Sequence, residues 1–198
     1  MKIDSIDFLV GIGASLAVGL TINVVADAGI DHGVATSLVI AVVDVALLAI
    51  YKESFFFQIK KLLFPLIGMV IGSVFFTAFY LIQEIPVRIS APGGFFDYVI
   101  YVINVAVLIP LFEEIAVRRL MFLGASHYIC PIFSALFVSA LFAATHKGQF
   151  LFAFIFSIVM CLMTWRGVGT YSRALLHGSY NGTLSILWII FGINAVPR

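Results

Sequence analysis

Two adjacent carboxylates, Glu113 and Glu114, stand in the middle of an apolar run from Tyr98 to Ala125, with Arg118 and Arg119 just after them. Further along, His146 closes one apolar stretch, and His177 and Asn181 fall inside another. Glutamate and histidine take up and return protons, while histidine and asparagine also donate hydrogen bonds to developing negative charge. Those are the parts needed to hydrolyse an amide: a base for water, a proton for the leaving amine, and donors for the oxyanion. An ionised group at bilayer depth costs about 2.5–3.5 kcal/mol by insertion scales, so it is rarely kept there without a partner or a task. Arg118 stands at i+4 from Glu114 and can neutralise it on a helix, as a structural ion pair. Glu113, about 100° round the same helix, has no such local partner.

The elements that must carry these residues are membrane helices. At 198 residues, 63% hydrophobic and 11% charged, the chain is not an ordinary water-soluble domain. Its net charge of +1, with no basic stripe interleaved with aromatics, excludes a nucleic-acid partner. Cys130 and Cys161 match no metal or redox spacing and read as free thiols filling apolar segments. Apolar runs predict about seven spans: Phe8–Ala26, Val34–Tyr51, Leu62–Ile82, Tyr98–Ala125, Ile132–Thr145, Gln149–Trp165 and Val168–Ile193. The fold class expected is therefore all-α, a polytopic transmembrane bundle. Residues 1–97 would supply N-terminal helices and loops, and 98–193 a catalytic core, in one integral-membrane unit.

Ala26-Asp27-Ala28 resembles a signal cleavage site, but Asp4 and Asp7 give the preceding region the wrong sign and the apolar run is too long. The first span is read as retained. Lys52 to Lys61, with Phe55, Phe56 and Phe57, reads as an interfacial loop, and Gln83 to Asp97 as a loop rich in Pro and Gly. Pro110, three residues before Glu113, is expected to kink the fourth span. Lys2, Lys52, Lys60, Lys61, Arg166 and Arg173 fall on one side, with Arg118 and Arg119 towards it; Arg88, Lys147 and Arg198 fall on the other. That bias places the N-terminus in the cytoplasm.

Depth separates a cluster from scattered polar residues. The fourth and fifth spans form a hairpin turning near Tyr128–Cys130, which puts Glu113 and His146 level, each roughly 20–25 Å of helix from the turn. His177 and Asn181 share a face at i, i+4, with His177 offset from that level by up to about two turns. Singly, each has a structural reading: Glu114 in its ion pair, His146 bonded to backbone, His177 or Asn181 joining helices. Asp44, Asn23 and Asn104 have no neighbours in a recognisable spacing, and His32 and His127 read as solvated loop residues.

Glu113-Glu114-x-x-x-Arg118, Phe142-x-x-x-His146 and His177-x-x-x-Asn181, in that order and each in an apolar segment, resemble the three motifs of the CPBP (Abi) family of intramembrane proteases. That family includes the type II CAAX prenyl endopeptidases and bacterial bacteriocin-processing and self-immunity proteins. The resemblance runs from about Tyr98 to Ile193. It departs at Val117, where an aromatic is expected, and at Arg119, where glycine is common.

The resemblance implies an endopeptidase acting on a membrane-associated protein or peptide, prenylated or not, in a multi-pass protein of a prokaryotic plasma membrane. Glu113 and His146 would activate water, His177 and Asn181 would serve the oxyanion, and Glu114 with Arg118 would fix the geometry. No cofactor is required, although Glu113, His146 and His177 could together hold a zinc ion, as two histidines and a carboxylate do elsewhere. Gly-x-Ser-x-Gly and His-Glu-x-x-His are both missing. Two other classes stay open: a non-catalytic immunity or scaffold protein, and a transporter, for which no inverted repeat or continuous polar path is visible.

Overall fold

Segments this apolar, placed in hydrocarbon, can satisfy their backbone polar groups only within helices, and helices are what form. The computed structural model describes residues 5–51, 63–83, 94–146 and 149–192. Over these residues the chain forms α1 (Ser5–Asp27), α2 (His32–Tyr51), α3 (Leu63–Gln83), α4 (Phe95–Ala125), α5 (Pro131–Ala144), α6 (Phe150–Trp165) and α7 (Thr170–Leu187). A wide turn, Trp188–Gly192, continues α7. The expected all-α bundle is the fold, and no strand occurs among the described residues.

Three helices, α1, α2 and α4, are long and apolar enough to cross a membrane on their own. By contrast α5 and α6, with 14 and 16 residues, reach about 21 and 24 Å, short of a hydrocarbon core of about 30 Å. Seven expected spans thus become seven helices, of which three meet the length and apolarity of a full crossing. Outward faces carry exposed Leu9, Leu20, Val24, Val42, Val45 and Val70, the surface a lipid-embedded bundle presents. The chain is an integral membrane protein. The predicted interfacial loop at Lys52–Lys61, most of the loop between α3 and α4, and the charges Lys2, Arg88, Lys147 and Arg198 lie outside the described residues.

α4 is the axis of the bundle. One apolar cluster joins it to α1 and α2 through Val18, Ile40, Leu47, Phe112, Ile115 and Leu120. A second joins it to α5 and α6 through Phe122, Val138, Phe142 and Cys161. The helix runs from Phe95 to Ala125 without stopping at Pro110, because two wide π segments, Asn104–Leu108 and Glu114–Phe122, flank the proline. Pro110 has no N–H for the Ala106 carbonyl, and a turn with i→i+5 bonding accommodates that loss. Within the first π segment the buried Asn104 joins α4 to α2: its Nδ2 donates to Gly33 O at 3.0 Å, and Ser37 Oγ donates to its Oδ1 at 2.8 Å. Asn23 is exposed, as are His32 and His127, whereas Asp44 is buried with no hydrogen bond to its carboxylate among the described residues.

α7 approaches α4 where the proline has disturbed it. A Cβ added to Gly178 would collide with the backbone oxygen of Ala106. Such backbone-to-backbone approach is how small residues bring membrane helices together. It draws the neighbouring His177 onto the glutamate-bearing part of α4. On its other side α7 packs against α3, the most extensive helix pair among the described residues.

Gly178→Val should therefore cost about 1–3 kcal/mol through overpacking against an unyielding backbone. Gly13→Ala on α1, where nothing lies within 4 Å of the added carbon, should be neutral. Thermal denaturation of both variants in detergent checks the contrast.

Candidate functional site

Glu114 lies at the bottom of the site, fully buried. Arg173 Nε donates to its Oε2 at 2.9 Å, and His177 Nδ1 lies 3.2 Å from its Oε1. Arg118 Nε stands 3.6 Å from Oε1 and makes no hydrogen bond. The pair expected from the i, i+4 spacing is therefore present but loose, because the π segment that begins at Glu114 widens the turn separating the two residues. The Arg118 guanidinium is instead stacked 4.2 Å above the Phe142 ring, a cation–π contact in a buried setting. Arg173 also donates to the Val168 carbonyl and, at 3.4 Å, to Thr170 Oγ1.

Arg173 was expected among the charges at the edge of the membrane; it is 2% exposed and is the closest partner of Glu114. Its position was legible in principle. Arg173, His177 and Asn181 recur every four residues, so they occupy one stripe of α7.

Glu113 differs from its neighbour in one respect: 17% of its side chain is exposed, against none for Glu114. Its Oε2 lies 3.5 Å from His177 Nε2. The offset of up to two turns expected between His177 and Glu113 is thus corrected, since the approach of Gly178 to Ala106 brings α7 level with the glutamates. His177 bridges both carboxylates, one through each ring nitrogen. An imidazole with one proton can donate to only one of them. The Nδ1 contact has hydrogen-bond geometry, while the Nε2 contact is the longer one, at ion-pair distance. The ring rests against Phe156, 4.8 Å between centroids, and is 3% exposed overall.

His146 sits just past the end of α5, its ring 4.3 Å from that of Phe142. Its Nδ1 is 2.9 Å from the Phe142 carbonyl. A carbonyl only accepts, so Nδ1 is the donor in this contact. Among the described residues His146 makes neither a hydrogen bond nor an ion pair with Glu113, although the hairpin was expected to set them face to face. Asn181 is half-buried one turn beyond His177, and its amide has no partner among the described residues.

A cavity of about 410 Å³ opens between α1, α4 and α5, with Glu113 its one ionisable lining group. Phe142 and Thr145 line it too, and His146 follows Thr145 in the chain with its ring against that of Phe142. Glu113, His146 and His177 were named as possible zinc ligands; among the described residues no group of three His, Cys, Asp or Glu side chains converges.

Residues 95–183, from the start of α4 into the last turns of α7, match the family model described as type II CAAX prenyl endopeptidase Rce1-like. The matched stretch holds Glu113, Glu114, Arg118, His146, Arg173, His177 and Asn181, and it agrees with the resemblance carried by the three motifs. No curated protein and no solved structure matches the chain.

The shared carboxylate yields a prediction about stability. Arg173→Met should destabilise the protein more than Arg118→Met, because it strands the buried Glu114 at a cost of about 3–5 kcal/mol. The double variant Glu114→Gln with Arg173→Met should recover part of that loss. A double-mutant cycle on detergent melting temperatures measures the coupling.

Proposed function

Because residues 95–183 match the family model described as type II CAAX prenyl endopeptidase Rce1-like, we propose that this chain is an intramembrane endopeptidase whose catalytic base is Glu113. One observation carries the assignment: of two adjacent glutamates, only Glu113 opens onto the cavity, while Glu114 is locked by Arg173 and His177. The substrate is a membrane-associated protein or peptide, of the prenylated kind that the family's name describes.

In the proposed reaction Glu113 takes a proton from water as its oxygen bonds to the scissile carbonyl carbon. His146, when neutral, accepts the second hydrogen bond of that water at Nε2 and so orients it. Negative charge collects on the former carbonyl oxygen, where the Asn181 amide donates. The carbon–nitrogen bond then breaks, and the amine leaves with the proton held by Glu113. His177, lying between the carboxylates, holds Glu113 in place through all of this, and Glu114 with Arg173 holds His177.

Three outcomes follow for the purified protein acting on a membrane-tethered peptide. Glu113→Ala and His146→Ala should each abolish cleavage while expression and insertion stay near normal. Asn181→Ala should slow turnover by about 10²–10³ without ending it, as the loss of one oxyanion donor does elsewhere. Turnover should also persist after chelation. Stoichiometric zinc by elemental analysis, with activity lost on stripping and restored on return, would sink the glutamate mechanism.

A further inference from the structure

α1 is long enough to cross a membrane, but the neighbouring hairpin of α5 and α6 is not. The rings of Phe8 on α1 and Phe137 on α5 lie 6.3 Å apart. Phe8 meets Gly124 and Gly11 meets Ala116, so α1 runs antiparallel to α4, as α5 does after its tight turn. α1 and α5 therefore climb the bundle together. From the level of those two rings α5 has about 10 Å of helix left to Ala144, whereas α1 has about 28 Å left to Asp27. α5 stops roughly 15–20 Å short of the end of α1, near the middle of a hydrocarbon core of about 30 Å.

We propose that the outward face of α5 and α6 thins the membrane beside it, and that the partner fitting this face is phospholipid with short acyl chains. This holds whether or not Glu113 is the base.

The connection from α5 to α6 requires the thinning. Thr145 and Gln149 are exposed there, and His146 is half-buried. Gln149 precedes α6 without giving it a side-chain cap, and such a helix start is satisfied by water. Irregular backbone with polar side chains does not face lipid tails; at membrane depth it is found where protein covers it or water reaches it. Thr145 and Gln149 are not covered.

The hairpin cannot slide along the bundle to escape. Its other end carries exposed Tyr128, Trp165 and Arg166, residue types that anchor at the membrane–water interface. Lifting the connection into water would drag Arg166 into hydrocarbon. Between these polar ends the outward face is Phe133, Phe137, Leu151, Ile155 and Val159, all exposed. It makes an apolar band of about 21–24 Å. A bilayer thicker than such a band thins to meet it, and short-chain lipid does so with the least strain. α1 and α2, with 23 and 20 residues, match a core of ordinary thickness. The deformation is thus confined to one side of the molecule, the side whose helix connection carries His146.

The test uses the full-length protein in lipid nanodiscs, with Cys130→Ser so that the buried Cys161 is the sole native thiol. Gln149→Cys and Leu20→Cys each then add one thiol. Leu20 is 68% exposed and stands nearer the far end of the bundle than Gln149 does. A charged maleimide reacts with thiolate, which forms in water and not among lipid tails. In dioleoylphosphatidylcholine discs Gln149→Cys should label at least about tenfold faster than Leu20→Cys. Trp188→Phe leaves Trp165 as the one tryptophan, and its quenching by brominated lipid reports the composition around α6. In mixed discs the brominated dimyristoleoyl lipid should be taken up there several-fold more strongly than the brominated dierucoyl lipid. Equal labelling of the two cysteines overturns the proposal. Fast labelling with no preference for the short chain does so too, since water would then reach Gln149 through the protein in a bilayer of unaltered thickness. Neither readout requires cleavage, so a protein that thins its membrane and cleaves nothing would remove the endopeptidase reading alone.

Discussion

A fully buried carboxylate has to be compensated, and in a bundle this apolar the compensation of Glu114 governs the arrangement of everything near it. Arg173 and His177 come from α7, Arg118 from the same helix as Glu114. Without α7 the charge would have only the loose contact to Arg118, which makes no hydrogen bond. The docking of α7 on α4 is thus an electrostatic requirement as well as a packing one. Sequence meets it with two local devices: Pro110, which leaves the Ala106 carbonyl without its usual donor, and Gly178, whose missing side chain lets α7 close over that point. The π segments on either side of Pro110 belong to the same solution.

The compensation also separates the work of two identical side chains. Adjacent glutamates on a helix diverge by about 100°, enough for one to face the buried arginines and the other the cavity. Glu114 is saturated by its partners and has little left to offer a reaction. Glu113 has a single lateral contact, His177, and an open face. His177 spans both and so joins Glu113 to the buried network.

Much of this was legible from the residues. Apolar runs located all seven helices, and the three ordered motifs pointed to the segment that the family match covers. Less legible was anything depending on how helices slide against one another. Matched depth from the hairpin set His146 opposite Glu113, but the ring ends just past α5 and turns its Nδ1 to the Phe142 carbonyl. His177 looked too far along its helix, yet it is the side chain that touches both glutamates. The depth estimate assumed straight helices of uniform rise, and neither the wide turns of α4 nor the close approach at Gly178 can be counted in that way. Arg173 was counted only for the side of the membrane it falls on, as a lone arginine near a span's start normally is, and its pairing with Glu114 was not foreseen. Only its four-residue spacing from His177 and Asn181 marked it otherwise.

The departures at Val117 and Arg119 acquire a reason once α1 and α2 are included. Val117 lines the cavity, where a larger residue would occupy part of the space that Glu113 opens onto. Arg119 reaches away from the site: its guanidinium lies 5.6 Å from the centre of the Tyr51 ring, and Nη2 donates to the Tyr51 carbonyl at 3.4 Å. Tyr51 in turn donates its hydroxyl to Asp7 at 2.8 Å. A polar chain therefore runs from α4 through the end of α2 to the beginning of α1. It fastens the two N-terminal helices to the glutamate helix one residue beyond Arg118. Buried polar links of this kind are costly to leave half-made, so α1, α2 and α4 favour a single register. The residues that could do chemistry lie in the matched segment, while the shape of the space around Glu113 is set jointly with helices that lie outside it.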